Sequence, residues 1–470
     1  MDLISSHDDT ICAVATPIGE GGIGIVRISG PGSLEILRTV FRPLPSPQFL
    51  QSHRLYHGWI TDPSTGERVD EVLACWMGAP RTYTRQDVVE INSHGGFGVL
   101  DRLLRLVLSC GARLAEPGEF TRRAFLNGRI DLTQAEAVIE LIRSRSEEGL
   151  RLAGRQLGGG VRGLVESWRG KLLSCQARIE AHIDFSEDLD ESESAEAWEI
   201  IEDLRAEVLR PMAELRDRYD EGRVLREGLT LVLAGKPNVG KSSLLNALVG
   251  RERSIVTPHP GTTRDVIEDS FLLGGVAVRL LDTAGLRPRG DAIEALGMAK
   301  TRESVAEADA VLWMLDQSLP LDEADDAVHE SVARCRLLLV LNKADLPRRF
   351  TLDDVRRRYP LGPAVPSLSL SVLRRSDIDL FRSRLKTIFL DRPLGSSASG
   401  GVIPNLRQKE CLDQAVGHLA KALALLDAGG FGELVSLELA HARQALERIL
   451  GIEHDDALLD RVFGEFCVGK

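Results

Sequence analysis

The chain has 470 residues, 27% of them charged and 43% apolar, an ordinary globular make-up with length for two to four domains and a large core. Its net charge of −12 argues against wholesale electrostatic coating of nucleic acid, though a local basic patch stays open. The seven cysteines, at 12, 75, 110, 175, 335, 411 and 467, are odd in number, scattered and free of any C-x-x-C, which speaks against a disulfide or zinc framework and for a reducing cytosol.

The first residues, Met1 to Asp9, lack the basic and apolar regions of a signal peptide, and no apolar run approaches the ~20 residues of a membrane span. A cytoplasmic protein with no membrane contact is expected. Residues 1–130 read as mixed α/β. A glycine-rich turn from Gly19 to Gly24 precedes the short strand Ile25 to Ile28. Because the turn precedes a strand rather than following one, it is not a dinucleotide fingerprint. A second strand, Asp87 to Asn92, leads through Ser93-His94-Gly95-Gly96 into a helix with Val99, Leu103, Leu106 and Val107 at helical spacing. Glu116-Pro117-Gly118-Glu119 is a turn.

Residues 131–227 are helical, with Asp131 as N-cap, an apolar stripe from Leu132 to Ile142, and a long helix through Val165, Leu172 and Ile179. The acidic run Glu187 to Glu193 reads as a solvated linker before another helix near Ala195. Residues 228–390 alternate helical patterns with the apolar runs Leu229 to Ala234, Val276 to Leu281, Val311 to Leu315 and Leu337 to Leu341. Strands so uniformly apolar imply a parallel sheet covered on both faces. A Gly/Ser-rich linker follows, and residues 391–470 end in two helices, one with Leu412, Val416, Leu419, Leu423 and Leu426 in line, the next with Val435, Leu439, Ala442, Leu446 and Ile449. The expected architecture is multidomain α/β: an N-terminal α/β domain, then an all-α domain split in sequence, with the 228–390 domain inserted between its halves.

The chemistry sits at the first strand of that inserted domain. Gly235-Lys236-Pro237-Asn238-Val239-Gly240-Lys241-Ser242 has the G-x-x-x-x-G-K-S spacing of a phosphate loop between strand and helix. Glycines let successive N–H groups close on a phosphate while the helix start adds its positive dipole end. Lys241 is expected on the β- and γ-phosphates and Ser242 on Mg2+, with Ser243 beginning the helix behind them. Asn342-Lys343-Ala344-Asp345 turns this into a guanine site, since Asp345 accepts from two guanine N–H groups that adenine does not offer. Asp282-Thr283-Ala284-Gly285 reaches toward Mg2+ and the γ-phosphate, and Pro260-Gly261-Thr262-Thr263 supplies Thr263 as the second hydroxyl on the metal. Where many small GTPases carry a water-orienting glutamine, this chain has Leu286. Another group must place the water, with Arg287, Asp291 and Glu294 close by in sequence, or turnover must wait for a partner.

These motifs, together with Ala15-Thr16-Pro17, Arg27-Ile28-Ser29-Gly30, the Glu116 to Thr121 and Phe125 to Arg129 segments, and the ending Phe466-Cys467-Val468-Gly469-Lys470, resemble the MnmE (TrmE) family of tRNA-modification GTPases over nearly the whole chain. The resemblance implies an N-terminal domain that binds folate and dimerises, a split helical domain and an inserted Ras-like GTPase domain. It implies a tetrahydrofolate derivative (5-formyl, or 5,10-methylene as donor) at Arg27, Glu90, Arg129 and Lys470, where the family often has lysine at the Arg129 position. It implies K+-stimulated hydrolysis by pairing of two GTPase domains, with K+ held by Asn238 and by Thr257, His259 and Thr262 in a loop that also includes Pro258, and with Glu294 positioning water. Cys467 is the family's terminal cysteine, a nucleophile if it ionises and otherwise a residue that orders the C-terminus. The implied reaction adds an aminomethyl or carboxymethylaminomethyl group to C5 of the wobble uridine of certain tRNAs, with a homodimer of this chain joined by the FAD-binding partner MnmG. The family's base-backing loop stands here as Ser371-Val372-Leu373-Arg374-Arg375, a departure. The competing readings are a ribosome-assembly GTPase and a regulatory GTPase switch, both of which leave the folate-like segments without a role.

Overall fold

The computed structural model describes residues 9–17, 19–144, 146–184, 201–250, 269–282, 308–362, 365–390, 401–428 and 432–470. These divide into two compact units. The first comprises Met1–Ile142, Arg155–Met212 and Glu410–Lys470, and the second Arg143–Gly154 and Ala213–Lys409.

The first unit opens with seven strands, β1 (Ile11–Val14), β2 (Gly24–Ser29), β3 (Phe41–Pro43), β4 (Arg54–Thr61), β5 (Arg68–Met77), β6 (Val88–Ser93) and β7 (Arg113–Leu114), in the order β3-β4-β5-β6-β2-β1-β7. Every pairing is antiparallel except β1 with β7. The expected strands near residues 25–28 and 87–92 are β2 and β6, and the expected helix is Phe97–Ser109. The β4–β5 hairpin carries exposed apolar residues, Leu55 and Leu73, among polar ones, so its alternation is blurred and its strands do not announce themselves in the sequence. One face of the sheet packs Val26, Ile28, Val89 and Ile91 against Leu103 and Val107 of that helix. Because side chains alternate along a strand, the same register turns Arg27 and Glu90 to the opposite face, directly across from each other.

Helices build the rest of this unit. Asp131 caps the Leu132–Arg143 helix as its sequence suggests: its Oδ1 accepts from the Gln134 N–H at 3.0 Å, while Gln134 Oε1 accepts from the Asp131 N–H at 3.1 Å. The long helix runs Gly160–Asp184 with Val165, Leu172 and Ile179 buried. It packs on the Glu433–Leu450 helix, where Arg169 Nε meets the buried Glu447 at 2.6 Å and Ser436 Oγ donates to Glu180 at 2.9 Å. Val435, Leu439, Ala442, Leu446 and Ile449 all point inward, as their spacing requires. The expected acidic linker, Glu187 to Glu193, lies outside the described residues.

The second unit holds six strands, β8 (Leu229–Ala234), β9 (Asp269–Leu273), β10 (Val276–Asp282), β11 (Ala310–Asp316), β12 (Leu337–Asn342) and β13 (Ser367–Ser369), in the order β13-β12-β11-β8-β10-β9. All neighbours are parallel except the edge pair β9–β10. The four strands legible as apolar runs are its central four. Those hidden from the sequence are the two edges, short or half polar because only one flank is covered. Leu231, Leu233, Leu312 and Met314 face the helices Lys241–Val249 and Arg375–Phe389, while Trp313, Leu315 and Leu339 pack on Val355 and Tyr359. No described helix is long and apolar enough to cross a membrane.

Candidate nucleotide site and the paired charges at the N-terminal sheet

In the second unit, β8 ends at Ala234 and the chain turns through Gly235 (φ 155°), Asn238 (φ 63°) and Gly240 (φ 104°) before the Lys241–Val249 helix starts. Asn238 is an exposed non-glycine residue in the left-handed region, which asparagine tolerates better than most. Gly240 is required for space as well as conformation, because a Cβ there would stand 2.3 Å from Asn342 Nδ2. Val239 turns into the core, whereas Ser242 and Ser243 are exposed at the helix start.

Lys241 is buried, and its ammonium donates to the loop's own carbonyls, those of Gly235 at 2.6 Å and Lys236 at 3.0 Å. A cation curled inside a loop whose helix start faces outward is set to receive phosphate oxygens. The loop is anchored from the side by Lys236. Its ammonium bridges Asp322 at 2.8 Å and the buried Asp325 at 2.9 Å, the two members of the capping box of the Glu323–Val332 helix. Lys236 holds Asp322 below the ordinary carboxylate range. The sequence offers no signal for this anchor beyond the capping pattern itself.

Asn342, at the end of β12, joins both sides of the site. Its Nδ2 donates to the Val239 carbonyl at 2.7 Å, and its Oδ1 accepts from the Val372 N–H at 3.2 Å. The departing loop 371–375 is thus tied to the phosphate loop through one buried amide. Asp345 is exposed, and the Ser371 hydroxyl holds its carboxyl below the usual value, with Arg374 and Lys343 adding positive charge. Ser371 is itself buried and donates its N–H to Asp377 at 2.8 Å. Lys343 turns at φ 63° to pair with buried Asp316 at 2.6 Å. The structure therefore gathers Asn238 to Ser243, Asn342, Lys343 and Asp345 around the ends of β8 and β12. Thr257, Pro258, His259, Pro260, Gly261, Thr262, Thr263, Thr283, Ala284, Gly285 and Glu294 lie outside the described residues. Asp282 is placed by its backbone as the last residue of β10, opposite Leu233.

In the first unit, register does what sequence distance conceals. Arg27 Nε donates to Glu90 Oε1 at 2.9 Å, and the guanidinium stands 5.7 Å from the centroid of the buried Phe120 ring. Arg27 Nη1 also donates to the Gly469 carbonyl at 3.1 Å, bringing the last residues of the chain to β2. Gly469 (φ 97°) has no room for a side chain, since a Cβ would lie 2.4 Å from the Val14 carbonyl. Lys470 is half-buried there. Burial pushes its ammonium below the ordinary lysine range, and the Arg27 charge pushes the same way. Cys467 is exposed one turn earlier. Arg129 makes other contacts: it stacks 4.7 Å over the Tyr83 ring and donates to the Tyr83 carbonyl at 3.2 Å.

The same unit holds an ion network, centred on buried Arg123 and Glu119, that the sequence pattern does not reveal. Arg123, 2% exposed, meets Glu119 at 2.9 Å and also pairs with Asp9, and Arg113 meets Glu119 at 2.8 Å and Asp9 at 2.7 Å. Burial alone would raise Glu119, but Arg113 and Arg123 hold its carboxyl below the ordinary range. All seven cysteines are free thiols.

Comparison with known proteins covers the whole chain. Residues 10–129 match the family model described as GTP-binding protein TrmE N-terminus, and residues 132–467 match the one described as MnmE helical domain. The tRNA modification GTPase MnmE of Syntrophobacter fumaroxidans is 55% identical over 100% of this chain and 100% of its own length. The proteins of that name from Carboxydothermus hydrogenoformans and Geobacter sulfurreducens are each 44% identical over 98% of this chain, and 100% and 99% of their own lengths. By that end-to-end likeness, the chain belongs to the MnmE (TrmE) family of tRNA modification GTPases.

Proposed function

We propose that this chain is a GTPase that works in tRNA modification and that it couples GTP hydrolysis to the handling of a folate-borne one-carbon unit at the wobble uridine. The observation that carries the folate half is the hydrogen bond from Arg27 to the Gly469 carbonyl, which unites β2, β6 and the C-terminal Lys470 in one charged corner. There Glu90 accepts from ring N–H groups of a tetrahydrofolate derivative while Arg27 and Lys470 take its oxygens. Arg129 joins only if it leaves Tyr83. Cys467, exposed beside this corner, is either a nucleophile or the residue that orders the tail.

In the second unit, Lys241 exchanges the carbonyls of Gly235 and Lys236 for phosphate oxygens, and Asp345 takes the two N–H groups of guanine. Ser242 and Thr263 would hold Mg2+, with Asp282 serving the same ion, and Asn238, Thr257, His259 and Thr262 would hold K+; both ions would supply positive charge against the phosphates. Glu294 orients the attacking water in place of a glutamine, and Thr283, Ala284, Gly285 and the residues from Thr257 to Gly261 contribute to GTP binding. Two copies of the chain pair through these units, and the FAD-binding protein MnmG brings the redox half of the reaction. The setting is the cytoplasm.

The test is nucleoside analysis of tRNA from cells carrying only Arg27→Ala or a chain lacking residues 467–470, beside dialysis of the full purified chain with reduced folate. Loss of the C5-modified uridine and of folate binding, with GTP turnover intact, is the expected result. Full modification in both variants would remove the folate corner from the mechanism.

A further inference from the structure

The Leu406–Asp427 and Glu433–Leu450 helices bring together three side chains that neither the nucleotide site nor the folate corner uses. Glu438 and His441 lie three apart on one helical face, and His418 meets them from the neighbouring helix. One donor atom from each lies within 4.8 Å of the other two. His418 Nδ1 is 2.6 Å from Glu438 Oε2, and the two imidazole rings stand 5.0 Å apart at 52°.

We propose that His418, Glu438 and His441 form a site for a divalent transition-metal ion of the zinc class. Two imidazoles and one carboxylate make a donor set that zinc accepts, with a further position left for water. Donors at 2.0–2.1 Å from such an ion stand about 3.3 Å from one another, so atoms already within 4.8 Å need draw together by no more than about 1.5 Å. A further observation favours an ion over a plain hydrogen-bonded pair. His441 Nδ1 is buried with no hydrogen-bond partner, an arrangement that costs free energy unless something else engages the ring. The frame is firm, because the Glu433–Leu450 helix is pinned to Gly160–Asp184 by the Arg169–Glu447 pair and the Ser436–Glu180 bond. Lys421, one turn past His418, opposes a cation, but it is exposed and free to swing outward.

The test is titration of the metal-stripped full chain with Zn2+ by dialysis and with Co2+ by visible absorption, alongside His418→Ala, His441→Ala and Glu438→Gln. One equivalent should bind to the unaltered chain, and each substitution should weaken that binding by more than about tenfold. Zn2+ should raise the thermal midpoint of the unaltered chain but not of the variants. Lys421→Ala keeps all three donors and should bind at least as tightly. Glu438→Gln preserves side-chain shape and keeps the test sound if a histidine variant misfolds. Unchanged affinity in the folded variants, a thiolate-to-cobalt band pointing to cysteine ligands, or failure of the unaltered chain to hold one equivalent would each overturn the proposal.

Discussion

Asn342 and Gly240 share one small volume, and that makes their coupling calculable. Asn342→Ala strips the buried Val239 carbonyl of its 2.7 Å donor, a loss of about 1–3 kcal/mol, while the part-buried Val372 N–H can turn to water. Gly240→Ala carries two costs. Alanine at φ 104° is strained by about 1–2 kcal/mol, and its Cβ would lie 2.3 Å from Asn342 Nδ2, so the amide must leave Val239 at a further cost of about 1–3 kcal/mol. The single Gly240→Ala variant should therefore lose about 2–5 kcal/mol. Once Asn342 is already alanine, only the backbone strain remains. The double variant should be less destabilised than the sum of the singles by about 1–3 kcal/mol.

Native-state hydrogen exchange of the β8 and β11 amides reads the stability of this unit alone and suits a chain of two units. Strict additivity of the two substitutions, or an Asn342→Ala variant as stable as the parent, would refute the view that this amide holds the phosphate loop in place.

The Asp9–Arg113–Glu119–Arg123 network has a pH signature. Asp9 and Glu119 have folded values below their ordinary ones, so their contribution is fully present above about pH 4.3 and is lost as pH falls through the folded values. Glu119→Gln should cost about 3 kcal/mol at neutral pH by leaving the buried Arg123 half-paired, and it should flatten the acid limb of an unfolding-versus-pH curve. An unchanged acid limb would place the titration elsewhere. Gly469→Ala forces a Cβ to within 2.4 Å of the Val14 carbonyl, so the tail should lift away, reduced-folate affinity should fall at least about tenfold, and GTP turnover should hold. Turnover measured in K+ and in Na+ tests the alkali-ion reading directly, and equal rates would end it. Lys241→Ala should abolish turnover with the unit still folded, as exchange at β8 would verify.

What the sequence determined was local or periodic. The phosphate loop between Ala234 and Lys241 was legible because glycine spacing, a preceding apolar run and a following helix are contiguous in the chain. The four central strands were legible because burial on both faces leaves them uniformly apolar, as β11 and β12 are throughout. The Asp131 cap was legible because its partner lies three residues on. The family likeness also rested on short contiguous segments. The edge strands β9 and β13 and the β4–β5 hairpin escaped because one-sided cover erases the apolar signal on which such reading depends.

Tertiary structure alone decided which distant groups meet. Strand register sets Arg27 opposite Glu90, and docking of the tail brings Gly469 to a residue 442 positions away. The Lys236–Asp325 anchor, the Arg123–Glu119–Asp9 network and the His418–Glu438–His441 trio are likewise products of packing. No sequence period encodes them, because the free energy that selects them comes from excluding water around side chains whose proximity exists only once the elements have assembled.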